Sequence, residues 1–484
     1  MLALDCGSTT FKGALFDVEC GCVAEAEVSV PYLAQSGAVR DQARVELDPD
    51  AVWQTALELI LNLCSRAAVG PGDIIRIALT SQAQTFVLLD AAEQPLTPFL
   101  SWLDTRAGPE VMDEIADKLG TGAGFHAHCS FAPPPAELQL AKVLWLRRHA
   151  PTLLDRARHI SSLPSYLTRR LAGIDALDPN LAAMSGLYSL REEDWWPDAL
   201  ALCGVARGQL PTLVPLGAPL KARRPCPELK LSPDLEVVFA GNDQTAGAFG
   251  NGCRERELVV TLGTALVAYR VAGATPGPYS PAGCWGPYPG GGYYELAVLS
   301  EGGLALNWAQ EQLLPGEPVA AFMALAQGGV FPFTGTHISG PLFYPTKMGT
   351  AGAWLTPGAG EQPTPAQLAL SVLEGLGFAL RRLIVRDLGL TPGDGFEAVT
   401  AVGGGSRSDL WLQLLAHILG RPVRRGTGNA LVGACRMATP DAPAASGAGV
   451  PAPEAAATFH PDPALIRHYR ARYTDWRTYE RRLN

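Results

Sequence analysis

No stretch of the chain approaches the roughly 18 consecutive apolar residues that a membrane-spanning helix needs. The beginning, MLALDC, has no basic segment leading into a long apolar core, so nothing there reads as a secretory signal. Histidines number only 8 and cysteines 10 among 484 residues, and neither type forms a metal-like series. Cys20-Gly-Cys22 is one residue tighter than C-x-x-C and has no second pair downstream, and His126-Ala-His128-Cys129 lacks spaced partners. A reduced, cytoplasmic protein is expected, most of its cysteines serving as small core hydrophobes. Positive charge is not in excess: 38 Lys and Arg against 47 Asp and Glu give −9, which offers neither nucleic acid nor an anionic membrane a reason to bind. The two commonest nucleotide motifs, G-x-G-x-x-G and G-x-x-x-x-G-K-[ST], are absent. What is present is 47% hydrophobic and 18% charged, a globular composition with core enough for two or more domains.

Strand-like and helix-like runs alternate, which predicts α/β layers. IIRIALTS (74–81) and FVLLD (86–90) read as strands, and residues 136–157 have helical spacing interrupted at Pro151. The proline-rich, polar stretch 211–236 reads as a boundary, giving domains 1–236 and 237–484, with LEVVFAGNDQ (235–244) opening a new strand. A broad apolar helix is expected over 366–389, an Ala/Pro/Gly-rich mobile loop over 440–457, and a helix at the carboxyl end. LALDCGSTTFKGALF near the start is echoed by ELVVTLGTALVAYRV (257–271): strand, glycine with a hydroxyl, strand. Two such hairpins half a chain apart predict a duplicated domain.

Three segments carry chemistry. In the first, Asp5, Gly7, Ser8, Thr9, Thr10 and Lys12 are more than a hairpin turn requires. Hydroxyls, backbone N–H groups and an ammonium suit a polyphosphate, and a carboxylate suits its Mg²⁺; an ordinary exposed hairpin is the plain alternative. In the second, FAGNDQTAGAFGNG (239–252), Asp243 and Gln244 follow an apolar strand and precede a helix containing Ala246, Gly247 and Ala248. A carboxylate at a strand's carboxyl end can orient an alcohol and accept its proton, and small residues would let a ligand approach; Asp243 as a simple helix cap is the alternative. In the third, AVGGGSRSDLWLQLLAHILGRPV (401–423), Gly403, Gly404 and Gly405 offer bare backbone to a flat ligand, with Ser406 and Ser408 as candidate caps; a strand–turn–helix joint would also use them.

These segments, together with TSQAQTFVLLD…PFLSWLDTRA (80–107) and FHPDPALIRHY (459–469), resemble the FGGY carbohydrate kinase family in order and spacing over nearly the whole chain. The resemblance implies two actin-like, ribonuclease-H-like domains with ATP and sugar in the cleft between them. It further implies Asp5 as a Mg²⁺ ligand with Asp243 as a second carboxylate and general base. Gly7, Ser8, Thr9, Thr10 and Lys12 would face the phosphates, Gly263 and Thr264 would clamp them, and Gly403, Gly404 and Gly405 would back the adenosine. Gln82, Gln84, Trp102, Asp104 and Gln244 would surround a small sugar or polyol, with Arg106 nearby as either a site residue or an ion-pair partner. Similar kinases include homodimers.

The departures concern the acceptor. Glycerol kinases carry Arg-Glu, and xylulose kinases Met-His, where this chain has Ala83-Gln84. Ser165 precedes Tyr166-Leu167 in place of an aspartate, Thr334-Gly335-Thr336-His337 replaces a Gly-Glu-Arg segment, and RRGTGNALVGA (424–434) lacks an acidic residue. The expected activity is phosphoryl transfer from ATP to a ketose, polyol or sugar acid. Glycerol or short-polyol phosphorylation and a nucleotide-driven binding protein of the actin and chaperone-ATPase kind are the alternatives.

Overall fold

The computed structural model describes residues 1–33, 43–277, 280, 282–299, 302–329, 340–345, 352–355, 362–391, 395–439 and 455–483. Residues 334–337 and most of the expected loop 440–457 lie outside the described residues. The chain forms two compact units: Met1–Gly252 with Gly273–Tyr294 and Gly428–Ala452, and Cys253–Ala272 with Glu295–Thr427 and Pro453–Asn484.

In the first unit Leu2–Cys6 pairs antiparallel with Thr10–Phe16 and parallel with Arg76–Ser81, in a sheet ordered 219–221, 236–242, 76–81, 2–6, 10–16, 22–29. Leu2, Ala3, Leu4 and Cys6 are all buried, as expected of a strand covered on both faces. Leu2, Leu4 and Leu15 pack with Leu59 and Leu63 of helix Pro49–Ala67, which Asp48 caps by accepting from the Asp50 amide. Ala3 and Ala14, on the other face, pack with Ala246 and with Leu431 and Ala434 of helix Ala430–Met437.

The expected break at 236/237 is crossed by this sheet. Strand Glu236–Asn242 pairs in parallel with Arg76–Ser81, so its apolar run is an inner strand of the first unit and not the first strand of the second. Helix Asp243–Gly250, and with it Asp243, therefore belongs to the first unit.

The second unit repeats the plan. Glu257–Leu262 pairs antiparallel with Leu266–Gly273 and parallel with Ala398–Val402, which pairs in parallel with Val423–Arg425. The echo between the two hairpins is thus a repeat of topology, and the architecture is two actin-like α/β domains. Helix Pro365–Arg382, with Thr364 and Gln367 in a capping box, buries Leu373, Leu376 and Phe378 beside Trp476 of helix Pro463–Leu483. The expected helix 366–389 ends earlier, in a wider turn over Leu383–Asp387. The expected 136–157 helix is two, Gln139–His149 and Pro151–Arg156, split at the proline.

None of the ten cysteines forms a disulfide and eight are buried, which matches small core hydrophobes. His126 lies against Trp285, and His128 stacks on Trp196 at 4.5 Å. No group of three or more metal-ligating side chains occurs among the described residues, and no helix among them is long and apolar enough to cross a membrane.

Candidate active site

Strand pairing sets Asp5 directly opposite Lys12 and beside Thr80, at the end of the sheet where the turn Gly7–Thr9 begins. Gly7 is required there, because a Cβ would come within 2.8 Å of the Thr10 carbonyl oxygen. Asp5 Oδ1 is buried and has no hydrogen-bond partner. Burial, reinforced by Asp243 and opposed by Lys12, pushes its carboxyl from an ordinary 3.8 up to about 7. Asp243 is near enough for its charge to act on Asp5, so the fold brings together two carboxylates 238 positions apart in sequence. Two carboxylates, one with an unpartnered buried oxygen, suit a hard cation that completes its shell with water and phosphate oxygens.

Asp243 does not cap its helix. Asn242 does, its side chain accepting from the Thr245 amide at 2.9 Å. The Asp243 carboxylate instead accepts from Gln244, from the amide at 2.9 Å and from Nε2 at 3.3 Å. The surrounding protein raises its pKa by desolvation, against those hydrogen bonds, while the residue keeps a solvent-exposed face.

The turn that aims Asp243 is fixed by Asn180, which sequence reading missed. Fully buried, its Oδ1 accepts from the Asn242 amide at 2.8 Å and from Asn242 Nδ2 at 2.7 Å. Its Nδ2 donates to Thr245 Oγ1 at 2.9 Å and to the Pro287 carbonyl at 2.7 Å. Gly241, at φ +72°, brings the chain so close that a Cβ would lie 2.8 Å from Asn180 Oδ1. The small residues of the following helix serve a different neighbour from the one expected. Ala246 and Gly250 let Gly433 and Asn429 of the next helix pack backbone to backbone, while Gly247 is left open.

Around the acceptor the expected residues divide. Gln82 is held by the scaffold: Nε2 donates to the Gly7 carbonyl at 3.1 Å and Oε1 accepts from Thr85 Oγ1 at 3.1 Å. Asp104 is fully buried and occupied by Arg106, which it meets at 2.8 and 2.6 Å, and by the Val45 amide at 2.8 Å. It is structural, and Arg106, which also reaches Glu46, is its ion-pair partner. Gln84 and Trp102 are the opposite. Gln84 has φ +67° and a buried Oε1 without a partner, and Trp102 is exposed. A strained backbone and a stranded amide mark a place built for something besides stability.

In the second unit Gly263, Thr264, Gly404 and Gly405 line one cavity of about 1220 Å³. Gly403, at φ +87°, packs on the backbone of Leu262, and Gly405 on the Trp411 ring, whereas Gly404 has open space where a Cβ would be. The glycine that leaves open space beside the cavity is therefore Gly404, while Gly405 lines it with its Cα side packed on Trp411. Ser408 caps helix Asp409–Leu419, and Ser406 donates to the Gly403 carbonyl at 2.8 Å. Gly303, Asn307 and Arg407 also line the cavity. Of these only Gly303 had a visible signal, Gly302-Gly303 ahead of an apolar helix, and a Cβ there would lie 2.5 Å from the Gly263 carbonyl oxygen.

Two family models match the chain: the N-terminal domain of the FGGY family of carbohydrate kinases over residues 1–250, and its C-terminal domain over residues 258–439. A xylulose kinase of Streptomyces rubiginosus is 28% identical over 428 residues, 88% of this chain and 84% of that one. A glycerol kinase of Thermus brockianus is 28% identical over 455 residues, 88% of this chain and 86% of that one. Among solved structures, a ligand-bound xylulose kinase from Lactobacillus acidophilus superposes with a TM-score of 0.85 at 19% identity, over 100% of this chain and 98% of that one.

Proposed function

The chain belongs to the FGGY family of carbohydrate kinases, and from that premise we propose that it transfers the γ-phosphoryl group of ATP to a hydroxyl of a neutral polyol or sugar longer than glycerol. Family membership sets aside the non-kinase alternative. The observation that carries the reading is the convergence of Asp5 and Asp243, with the first unpartnered and the second relieved of capping by Asn242.

Asp243 is the general base: held by the Asn180-braced turn, it orients the acceptor hydroxyl and takes its proton. Asp5, with Asp243 as second carboxylate, would hold Mg²⁺, which when bound offsets charge on the transferring phosphate. Lys12 adds positive charge from the strand opposite, and the turn Gly7-Ser8-Thr9 with Thr10 presents N–H and hydroxyl donors to phosphate oxygens. Gly263, Thr264, Gly404 and Gly405 hold the nucleotide.

The acceptor is read from Gln84, Gln244 and Trp102. Amides pair with vicinal hydroxyls and impose no charge, and an indole face suits the C–H side of a sugar. Ala83 leaves room that a three-carbon pocket would have to fill. Measuring ADP release against a panel of sugars and polyols, with a no-acceptor control, tests the reading. Stimulation by neutral acceptors of four carbons or more is expected. ATP hydrolysis indifferent to every acceptor, or a best substrate of glycerol, would overturn it. Gln84→Ala should raise the acceptor KM several-fold and leave the ATP KM almost unchanged, because a site that hydrogen-bonds hydroxyls loses a partner only on the acceptor side. Equal changes in both constants would remove Gln84 from the pocket.

A further inference from the structure

Among the described residues, Lys142 is the one lysine whose side chain is fully buried. It sits in helix Gln139–His149, a position that an apolar residue would fill at lower desolvation cost. Its Nζ donates to the Ser101 carbonyl at 2.6 Å and to the Gln84 carbonyl at 3.1 Å, and lies 5.9 Å from the centre of the Phe86 ring. Those carbonyls belong to two separate turns. One is the strained turn at Gln84, whose amide oxygen is stranded. The other leads directly into Trp102, whose amide donates to Thr85 Oγ1 at 3.0 Å. A buried ammonium bridging two turns fixes their separation more firmly than packing could, since charge-assisted hydrogen bonds are short and directional. A φ of +67° in a glutamine also persists only where its surroundings over-determine it.

We propose that Lys142 is a positioning residue of the acceptor pocket: its ammonium clamps the Gln84 and Ser101 carbonyls and thereby holds the Gln84 amide and the Trp102 ring at one spacing. This rests on the reading that Gln84 and Trp102 face the acceptor. Burial lowers the Lys142 pKa to about 7; Asp104 and Glu137 act to raise it and Arg106 to lower it further. The clamp is accordingly strongest below neutral pH and weakens as the ammonium loses its proton.

Three measurements on the full chain test this. Hydrogen exchange needs no acceptor: in Lys142→Met, residues 82–86 and 100–104 should exchange faster, with the rest of the protein unchanged. In steady-state assays with the best neutral acceptor, Lys142→Met should raise the acceptor KM about tenfold and move the ATP KM no more than about twofold, and Lys142→Gln, which keeps one donor group, should fall between. In the wild type the acceptor KM should climb between about pH 6 and 8.5, and this climb should vanish in Lys142→Met. If the variants do not fold, the wild-type pH series decides, and a flat acceptor KM overturns the clamp. Unchanged exchange in both segments, or KM changes shared equally by ATP and acceptor, also overturns it. Faster exchange in Lys142→Met, alongside a wild type that no acceptor stimulates, would uphold the clamp and refute the acceptor reading.

Discussion

Replacing Asp5 with asparagine is expected to cost roughly 10²–10³-fold or more in Mg²⁺-dependent kcat, while raising the melting temperature of the chelated protein. The loss follows from the several kcal/mol that a metal contributes to charge stabilisation, at about 1.4 kcal/mol per tenfold in rate. The gain follows from the same carboxylate without its cation. Asp5 has a buried oxygen that nothing in the protein pairs with, and its pKa stands near 7. A carboxyl whose pKa is raised by folding favours the folded state at low pH. That contribution fades as pH rises from about 4 to about 7 and is absent above. Asparagine cannot ionise, so melts recorded in EDTA should show no difference between variant and wild type near pH 4. A gap in favour of the variant should open through neutral pH and level off above it. Added Mg²⁺ with nucleotide should then raise the wild-type melting temperature more than the variant's. A variant that keeps near-full turnover would refute the metal assignment. One that melts lower at pH 8 would refute the claim that the ionised Asp5 carboxylate, without its cation, destabilises the fold.

The contrast between legible and illegible residues has a physical pattern. The paired hairpins could be read because each is local: apolar strands covered on both faces, joined by glycine and hydroxyls, occupy about fifteen consecutive residues. Asp243 could be read for the same reason, from a strand end running into a helix start. Its freedom from capping could not, because it depended on whether the residue before it would take that role, and Asn242 does. The family resemblance is what sets Gln82 and Asp104 around the acceptor, and apart from Thr85 and Arg106 their neighbours in sequence do not show what holds them. Their other partners are remote: Gly7 for Gln82, and Val45 and Glu46 for the Asp104–Arg106 pair. Asn180 and Lys142 were missed in the mirror image of that error. Each is a polar residue within an ordinary-looking helix, and its importance lies in backbone groups tens of residues away. The 236/237 boundary failed because an inner parallel strand such as Glu236–Asn242 carries no mark of which sheet it will join.

Asp243→Asn should lower kcat by roughly 10²–10⁴-fold, the range contributed by a positioned general base, with both KM values moved far less. Asparagine preserves the shape and still accepts from the Gln244 amide through its carbonyl, yet it cannot take a proton. The structure sharpens this test, because the helix-capping explanation for Asp243 predicts a different variant to be harmful. The cap is Asn242, so Asn242→Ala should lose about 1 kcal/mol of stability, and more where Asn180 is left without its partners. Asp243→Asn removes only a charge from the first helical turn, worth about 0.3–1 kcal/mol at an exposed site. The two substitutions should therefore separate: the first moves the melting temperature, the second moves kcat. The residual pH dependence adds an independent check. Because the surrounding protein raises the Asp243 pKa, wild-type kcat should fall on acidification at a pH above that of an ordinary carboxyl, and this limb should be missing from the residual activity of Asp243→Asn. A variant with wild-type kcat would remove Asp243 from the chemistry. One that lost kcat only in proportion to a large drop in melting temperature would return it to a structural role.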